Sequence, residues 1–480
     1  MALDWLELGD ELFLTRKEFF ALLGALSCVG GWRPSQGGGE QGVSLALEEL
    51  KAAEKLAGLE FTDEQRQQIL SAVQKNVQEI QRLHSLSFDY TLEPPLIFRP
   101  GLVPKDGFWC GVFSLELRDV SRPSSSNDLA FLSVHELSIL IRTRQVSPVE
   151  LTKIYLDRLT RYGEKLLCLV TLTEGLALEQ ARRAEQEIMR GDYRSVVHGI
   201  PYGIKDLFAV RGYPTTWGSE PHKEQVFDYD ASVVEKLTEA GAVLVAKLSL
   251  GALAQGDVWF KGRTRNPWNI EQGSSGSSAG SATATAAGLV GFSIGTETLG
   301  SIMSPCHRCR VSGLRPTYGR VSRFGAMAVS WTMDKIGPIA RSVEDCAYIF
   351  GVIQGADVRD PSSVSAGYMW PPSLSLSSLR VGYLVEPGVD LREGVSNAER
   401  EEYYQVLKNM GVSLRPVQFE QMYPGVNLIL GVEASAAFDE FTRSDRIHEL
   451  RNSAWPRTYR THRYIPAVEY LQAQRARALM

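Results

Sequence analysis

Two glycine-flanked serine turns and one lysine are the residues of this chain whose types and spacing best suit covalent chemistry. The turns lie within Gly273–Pro305, which reads GSSGSSAGSATATAAGLVGFSIGTETLGSIMSP, and the lysine is Lys205, within GIPYGIKDL at Gly199–Leu207. Serine is a weak nucleophile at its ordinary pKa and needs a neighbouring base, a part that a neutral lysine can take. These residues therefore predict a serine–lysine site for acyl transfer.

Lys205 can act as the base only when it is neutral, which at pH 7 costs an ordinary lysine about 4–5 kcal/mol. Burial can shift the pKa that far, and Lys205 stands in an apolar run, although an ion pair with Asp206 is the alternative. None of the seven histidines belongs to a recognisable triad motif. Gly276–Gly280 fits the GxSxG pattern at Ser278, but the preceding Asn266–Gly273 reads as a polar loop, whereas a nucleophile elbow needs a strand there.

The composition excludes several classes of protein. The chain has 480 residues, 44% hydrophobic and 22% charged, which is ordinary for a soluble globular protein. A net charge of −5 without a basic block gives no reason to expect a nucleic-acid partner. The six cysteines form no disulfide framework. Cys306 and Cys309 have CxxC spacing without a second ligand pair, so we expect packing residues there, and neither a metal nor an organic cofactor.

The N-terminal segment has some features of an export signal. Phe19–Trp32 is too short to span a membrane but has the length of a signal-peptide core. Thr15–Phe20, TRKEFF, is similar to a twin-arginine motif, and Ala25–Cys28 to a lipoprotein cleavage site. The acidic residues before them instead favour a short amphipathic helix or a misassigned start. We expect residues 1–40 to be an export-signal-like segment and linker, and the protein to be periplasmic or a membrane-anchored lipoprotein, with a cytoplasmic location as the alternative.

A helical extension is predicted over residues 41–127, between the glycine-rich Gln36–Gly42 and a serine-rich boundary at residues 121–126. Thr62 and Gln65 form the signature of a capping box, and an apolar stripe at steps of three and four follows. We interpret the stripe as a surface that packs against the main domain. Its residues are Ile69, Val73, Val77, Ile80 and Leu83.

Residues 128–480 are predicted to form an α/β domain. Helices are expected to begin after Ser133, with Glu136 completing a capping box, and after Ser147, with Pro148 in the first helical position and Glu150 completing the box. Helices then alternate with short apolar strands, which predicts a mixed or largely parallel sheet. The further elements are a helix at Val233–Ala240 and strands at Ala242–Ala246 and Leu289–Ile294.

From about Leu129 onward the chain resembles the amidase signature family. The resemblance is specific because several motifs occur in the order that the family has. The segments that carry it are Gly199–Asp206, Asn266–Asn269, Gly276–Ser281, Gly295–Ile302, Gly313–Ser322 and Asp334–Asp345.

The resemblance implies a fold and a catalytic set. The fold is an α/β structure with a mixed central sheet covered by helices. Matched motif by motif, Ser301 is the nucleophile, Ser277 the bridging serine and Lys205 the base, with a cis peptide bond between Gly276 and Ser277. The resemblance also implies that the oxyanion is bound by the backbone N–H groups of Thr298, Leu299, Gly300 and Ser301. It implies that Ala254 borders the substrate.

The chain also departs from the family pattern. Leu299 stands where the family usually has glycine, Glu297 where an aspartate is common, and Ala279 where glycine is common. We expect Leu299 to narrow the pocket or constrain the turn while its N–H still serves. The helix at Tyr470–Met480 is similar to one that leads into a further strand in the family, so the domain is expected to lack its C-terminal end.

The main hypothesis is an amidohydrolase that cleaves linear carboxylic amides through an acyl-enzyme on Ser301, with a small-molecule amide as its substrate. The alternative is the glutaminase (A) subunit of a tRNA-dependent amidotransferase, which shares the motifs. A third hypothesis is an inactive, truncated homologue that acts only as a binding protein. The sequence leaves assembly as a homodimer open.

Overall fold

A six-stranded mixed sheet lies at the centre of the fold. The computed structural model describes residues 45–86, 118–372, 375–384, 397–417, 423–444, 446–450 and 453–479. The strands are β1 (Leu169–Leu172), β2 (Pro201–Lys205), β3 (Val243–Leu248), β4 (Val258–Trp259), β5 (Gly262–Arg263), β6 (Arg265–Asn266), β7 (Asn269–Gly273), β8 (Phe292–Glu297), β9 (Ser312–Gly313), β10 (Lys335–Ala340), β11 (Arg380–Leu384) and β12 (Ser413–Val417).

Helices pack against this sheet, with α5 and α6 on β3, α8 on β8 and α10 on β10. The helices are α1 (Leu47–Ala57), α2 (Asp63–His84), α3 (Ser126–Leu129), α4 (Val134–Arg142), α5 (Pro148–Tyr162), α6 (Glu174–Arg190), α7 (Ser232–Glu239), α8 (Ala279–Ala286), α9 (Met303–Cys309), α10 (Val343–Ile353), α11 (Asn397–Asn409), α12 (Val426–Ala437), α13 (Asp439–Arg443), α14 (Trp455–His462) and α15 (Ala467–Leu479).

The strand order is β1-β3-β2-β8-β10-β9. β2 runs parallel to both β3 and β8, and the outer pairs are antiparallel, so the mixed sheet expected from the sequence is confirmed. β2 and β3 are buried along their whole length because helices cover the sheet. The strand predicted at Ala242–Ala246 is β3, and the one at Leu289–Ile294 begins three residues later, at Phe292, because the Leu289 N–H closes α8 on the Ala284 carbonyl.

The predicted helix starts before α4 and α5 are confirmed. The Ser133 hydroxyl accepts the Glu136 N–H at 3.1 Å, and the Glu136 carboxylate accepts the Ser133 N–H at 2.8 Å. The Ser147 hydroxyl likewise accepts the Glu150 N–H at 3.1 Å. The prediction that the Glu150 carboxylate accepts the Ser147 N–H and so completes the second capping box is wrong. This carboxylate pairs with the Arg122 guanidinium at 2.5 Å instead.

The helical extension consists of α1 and α2, and α2 packs against α14 and α15. The capping box at Thr62 is confirmed, since its hydroxyl accepts the Gln65 N–H at 3.2 Å and the Gln65 side chain accepts the Thr62 N–H at 3.0 Å. The apolar stripe packs as predicted, with three residues buried and two half-buried. The buried members are Ile69, Val73 and Leu83, and the half-buried ones are Val77 and Ile80.

The described residues between 371 and 417 form a second compact unit. In it, β11 and β12 pair in parallel, and the Tyr383 ring lies 4.7 Å from that of Tyr404 on α11. Across the described ranges, no helix combines the length and the hydropathy that a membrane crossing requires. Gln36–Gly42 and the export-like residues 1–40 lie outside the described residues, and the export signal, the location and the domain boundaries stay predictions.

Candidate active site

Lys205 is the last residue of β2 and is fully buried between β3 and β8. Its Nζ lies 2.8 Å from the Ser277 hydroxyl and 2.8 Å from the Thr296 hydroxyl. The sheet positions this amine because β2 and β8 are neighbours and Thr296 stands near the end of β8. The structure thus brings together the predicted base and the predicted bridging serine.

Burial lowers the pKa of Lys205 to about 7, although the charges of Asp334 and Glu297 act in the opposite direction. A lysine with a pKa in this range can lose its proton at neutral pH. The alternative of an ion pair with Asp206 is wrong. The Asp206 carboxylate lies 2.8 Å from the Lys247 ammonium on β3 and also accepts the Thr216 N–H at 2.9 Å. Lys247 was not anticipated from the sequence, because only the pairing of β2 with β3 places it there.

A small hairpin precedes Ser277 in the chain. The prediction of a loop over Asn266–Gly273 is wrong, because β6 and β7 pair there and the Asn266 side chain accepts the Trp268 N–H at 3.1 Å to close the turn. The predicted cis peptide bond between Gly276 and Ser277 is confirmed. A Cβ on Gly276 would lie 1.9 Å from the Gly256 carbonyl oxygen, so only glycine fits at this contact.

Ser278, the serine of the GxSxG pattern, holds the first serine turn against β8. Its hydroxyl donates to the Thr296 carbonyl at 3.1 Å and accepts the Thr296 N–H at 3.2 Å. Its own N–H donates to the Ser301 carbonyl at 3.0 Å. These bonds join the two serine turns, so Ser277 and Ser301 lie on neighbouring segments.

Ser301 follows β8 in a tight turn in which Gly300 has a φ of +83°, a conformation that glycine adopts without strain. Within the described part of the chain, the backbone N–H groups of Leu299, Gly300 and Ser301 donate to no protein acceptor. Such N–H groups are available to a ligand. The Leu299 side chain is 40% exposed.

A buried carboxylate on each side fixes this turn. Glu297 accepts the Ile302 and Met303 N–H groups at 2.8 and 3.0 Å and pairs with Arg315 at 3.0 Å. Asp334 accepts the Thr298 hydroxyl at 2.6 Å. Sequence reasoning singled out Glu297 only as a departure from the family pattern, and it missed Asp334 as a contact of the turn.

Lys335, a half-buried residue, adds a second amine beside the turn. Its Nζ donates to the Thr298 carbonyl at 3.0 Å, and burial lowers the pKa of this lysine to about 8. No signal in the sequence pointed to this role, because the contact depends on the antiparallel register of β10 with β8.

Helices α12 and α15 support the same region from behind. Asp334 also accepts the N–H groups of Val329 and Ser330, which defines a turn over residues 329–334. The buried Glu433 of α12 binds this turn by accepting the Ser330 hydroxyl at 2.5 Å. It also accepts the Tyr470 hydroxyl of α15 at 2.7 Å. Helices α12 and α15 therefore stabilise the turn over residues 329–334, and Asp334 of that turn binds Thr298.

Ala254 lies in a short 3-10 helix, Ala252–Ala254, where Leu253 and Ala254 have φ values of +49° and +62°. The loop that follows contacts the first serine turn, because the Gly256 carbonyl lies against Gly276. The contact joins the segment after Ala254 to the first serine turn, and the place of Ala254 beside the substrate stays a prediction.

The small-residue helix α8 and the CxxC segment are both packing elements. Ala282 and Ala284 are fully buried, and Ala286 and Ala287 are half-buried. The CxxC cysteines lie on α9, where burial raises the pKa of the Cys309 thiol to about 12. In the described ranges, no group of three or more His, Cys, Asp or Glu side chains is arranged to hold a metal ion.

Leu207, two residues beyond Lys205, is one of the residues that line a cleft of about 650 Å³. We call it the aromatic cleft, because aromatic rings form much of its lining, together with smaller apolar residues and a few polar ones. Its rings include those of Trp217, His222, Phe227, Tyr229, Trp331 and Phe441.

Comparisons with known proteins agree with this geometry. The family model described as Amidase matches residues 150–478. The A subunit of the glutamyl-tRNA(Gln) amidotransferase of Carboxydothermus hydrogenoformans is 37% identical over 321 residues, which cover 64% of this chain and 66% of that protein. The chain therefore spans slightly less than two thirds of the length of this relative.

Solved structures of similar fold include two amidases. The peptide amidase of Stenotrophomonas maltophilia superposes with a TM-score of 0.63 at 26% identity, covering 71% of this chain and 77% of that one. An amidase family protein of Bacillus anthracis str. Ames gives a TM-score of 0.63 at 27% identity, covering 74% and 77%. The fold class predicted from the sequence is confirmed. The chain belongs to the Amidase family, that is, to the amidase signature proteins.

Proposed function

We propose that this protein hydrolyses the C–N bond of carboxylic amides, with Ser301 as nucleophile, Ser277 as proton relay and Lys205 as base. The observation that carries the proposal is the 2.8 Å contact between the buried Lys205 amine and the Ser277 hydroxyl, on a segment bonded to the Ser301 turn. A buried lysine with a pKa near 7 is suited to accept a proton at neutral pH.

Thr296 orients the base in this mechanism. A neutral amine has two hydrogens and one lone pair. When one hydrogen points to the Thr296 hydroxyl at 2.8 Å, the lone pair is free to accept the proton of the Ser277 hydroxyl. Thr296 is therefore a positioning residue that acts through Lys205.

The reaction proceeds in two stages. Lys205 takes the Ser277 proton while Ser277 takes the proton of Ser301, and the Ser301 Oγ forms a bond to the amide carbon. The C–N bond then breaks as the proton returns through Ser277 to the leaving nitrogen. Water attacks the resulting ester, and the same relay releases the carboxylic acid and restores the Ser301 hydroxyl.

The unpaired N–H groups of the Ser301 turn supply the oxyanion hole. They belong to Leu299, Gly300 and Ser301, with the Thr298 N–H as the fourth predicted donor. One such donor contributes roughly 100- to 1,000-fold to the rate. Because Leu299 contributes through its backbone and the residue is 40% exposed, the substitution of the family's glycine is compatible with activity.

A serine-directed acylating probe tests this function. We expect the probe to label Ser301 of the wild-type chain, as located by peptide mass spectrometry, and to label nothing in the Ser301→Ala variant. Ser304→Ala is the matched control, because this serine lies three residues further along and its hydroxyl bonds the Ser275 hydroxyl at 2.5 Å, outside the proposed relay. A folded wild-type chain without label on Ser301 would overturn the proposal.

A glutaminase component of an amidotransferase is the second candidate, and the 37% identity to the amidotransferase relative favours it. That function predicts release of ammonia from glutamine only in the presence of partner subunits. The stand-alone amidase predicts turnover of amides by the purified chain, with no nucleic acid required. The inactive-homologue hypothesis is opposed by the intact contact of Lys205 with Ser277.

A further inference from the structure

The aromatic cleft has ring faces and edges arranged around one space. The rings of Trp217 and His222 lie 4.8 Å apart, and those of His222 and Phe441 lie 5.2 Å apart. The Trp217 ring also lies 6.3 Å from that of Phe227. Clefts of several hundred Å³ with mainly apolar and aromatic linings are typical of small-ligand sites.

One wall of the aromatic cleft is bonded to the segments that carry the candidate catalytic residues. The backbone N–H of Trp217 donates to the backbone carbonyl of Asp206 at 3.2 Å, and Asp206 directly follows Lys205. The Trp217 carbonyl accepts the Leu253 N–H at 2.9 Å, and Leu253 directly precedes Ala254. Trp217 is therefore bonded both to the residue after the base and to the residue before Ala254.

A second part of the lining is connected to the Ser301 turn. Trp331 lies in the turn over residues 329–334, in which Asp334 binds the Thr298 hydroxyl. The Met327 N–H donates to the Leu207 carbonyl at 3.1 Å, which ties the same segment back to the end of β2. Both parts of the lining are therefore hydrogen-bonded to segments that carry candidate catalytic residues.

The charges around the cleft favour a neutral occupant. Burial, with a contribution from Arg446, lowers the pKa of His222 to about 4, so this ring is uncharged at pH 7. Arg446 itself lies 3.6 Å from the Glu449 carboxylate and donates to the Pro221 carbonyl at 2.7 Å. Glu440 brings a charge of the opposite sign to the lining.

We propose that the aromatic cleft binds a neutral aryl group of the substrate, so that the protein prefers amides that carry such a group over saturated amides of equal size. This inference rests on the proposed amidase function. Its physical basis is that aromatic pairs are stabilised by stacked and edge-to-face contacts beyond the burial of their area, which a saturated ring lacks.

The first test compares 3-phenylpropionamide with 3-cyclohexylpropionamide. We expect kcat/KM of the wild type to be about five- to tenfold higher for the phenyl compound, which corresponds to one or two aromatic contacts. Trp331→Leu is expected to reduce this ratio about threefold and to keep the fold, because the side chain is 47% exposed. Trp268→Leu is the matched control, since Trp268 is 64% exposed and lies outside the cleft; its ratio should not change.

A binding measurement separates this inference from the proposed function. The Ser301→Ala variant cannot form an acyl-enzyme, so calorimetry measures the binding of each amide without turnover. The two amides differ only in their ring, so the difference between their affinities measures the preference of the cleft. Tighter binding of the phenyl compound, weakened by Trp331→Leu, supports the inference even if no amide is turned over. Equal binding of the two amides, or no binding of the phenyl compound, overturns it even if Ser301 of the wild type is labelled by the acylating probe.

Discussion

Replacing Lys205 by methionine tests whether this lysine loses its charge when the chain folds. Folding lowers its pKa from the ordinary value of 10.5 to about 7, so the unfolded chain binds more protons than the folded chain between these values. The free energy of unfolding of the wild type therefore rises with pH across this window, and the cost of burying the amine is complete below pH 7.

The size of the effect follows from the linkage relation. Between pH 7 and pH 9 the wild type should gain about 2 kcal/mol relative to Lys205→Met, which has no titrating group at this position. Urea unfolding followed by circular dichroism at both pH values measures this difference. Lys153→Met, at an exposed position on α5, is the control and should show no such gain.

The same substitution has a kinetic consequence. Acylation of Ser301 by the probe should rise about ninefold from pH 6 to pH 8 in the wild type, as the neutral fraction of Lys205 rises from roughly one tenth to nine tenths. In Lys205→Met the rate should be low and independent of pH.

A difference in unfolding free energy between wild type and Lys205→Met that stays constant from pH 7 to pH 9 would refute the reasoning, because Lys205 would then titrate alike in the folded and unfolded states.

Three further substitutions test the contacts around Lys205 and Ser277. Thr296→Val removes the hydroxyl that orients Lys205 and should lower kcat about tenfold with little change in KM; an equal effect on KM would contradict a positioning role. Asp206→Asn leaves the buried Lys247 without its carboxylate and should lower the free energy of unfolding by about 3–5 kcal/mol, measured in urea; a loss below about 1 kcal/mol would show that the pair is not buried as described. Gly276→Ala places a Cβ against a carbonyl oxygen and should lower the melting temperature by several degrees; unchanged melting would contradict the close contact.

Local features of the fold were predictable because their signals lie within a few residues. The capping boxes at Thr62 and Ser133 and the apolar run of β3 depend on side chains and backbone groups close in sequence, and the structure has them. The hairpin of β6 and β7 was missed because its residues are polar, and exposed strands carry no apolar pattern.

The candidate site was predictable only in part. The motifs selected Lys205 and the two serine turns, but Lys247, Asp334 and Lys335 come from segments far apart in sequence. These contacts depend on strand order and register, which a single sequence does not reveal. The same is true of the aromatic cleft, whose rings come from segments more than 200 residues apart.

The bonds of Glu433 have a consequence for protein synthesis. The turn that holds Thr298 is bound by Glu433, and Glu433 in turn bonds Tyr470 and Gln474 of α15. A nascent chain whose residues from 470 onward are still inside the ribosome lacks these partners, although it already contains every candidate catalytic residue. Chains emerge at about 5–20 residues per second, so the central sheet can form while the turn over residues 329–334 still lacks its contacts with α15. The turn that holds Thr298 then gains its full set of contacts only once α15 has left the ribosome and docked.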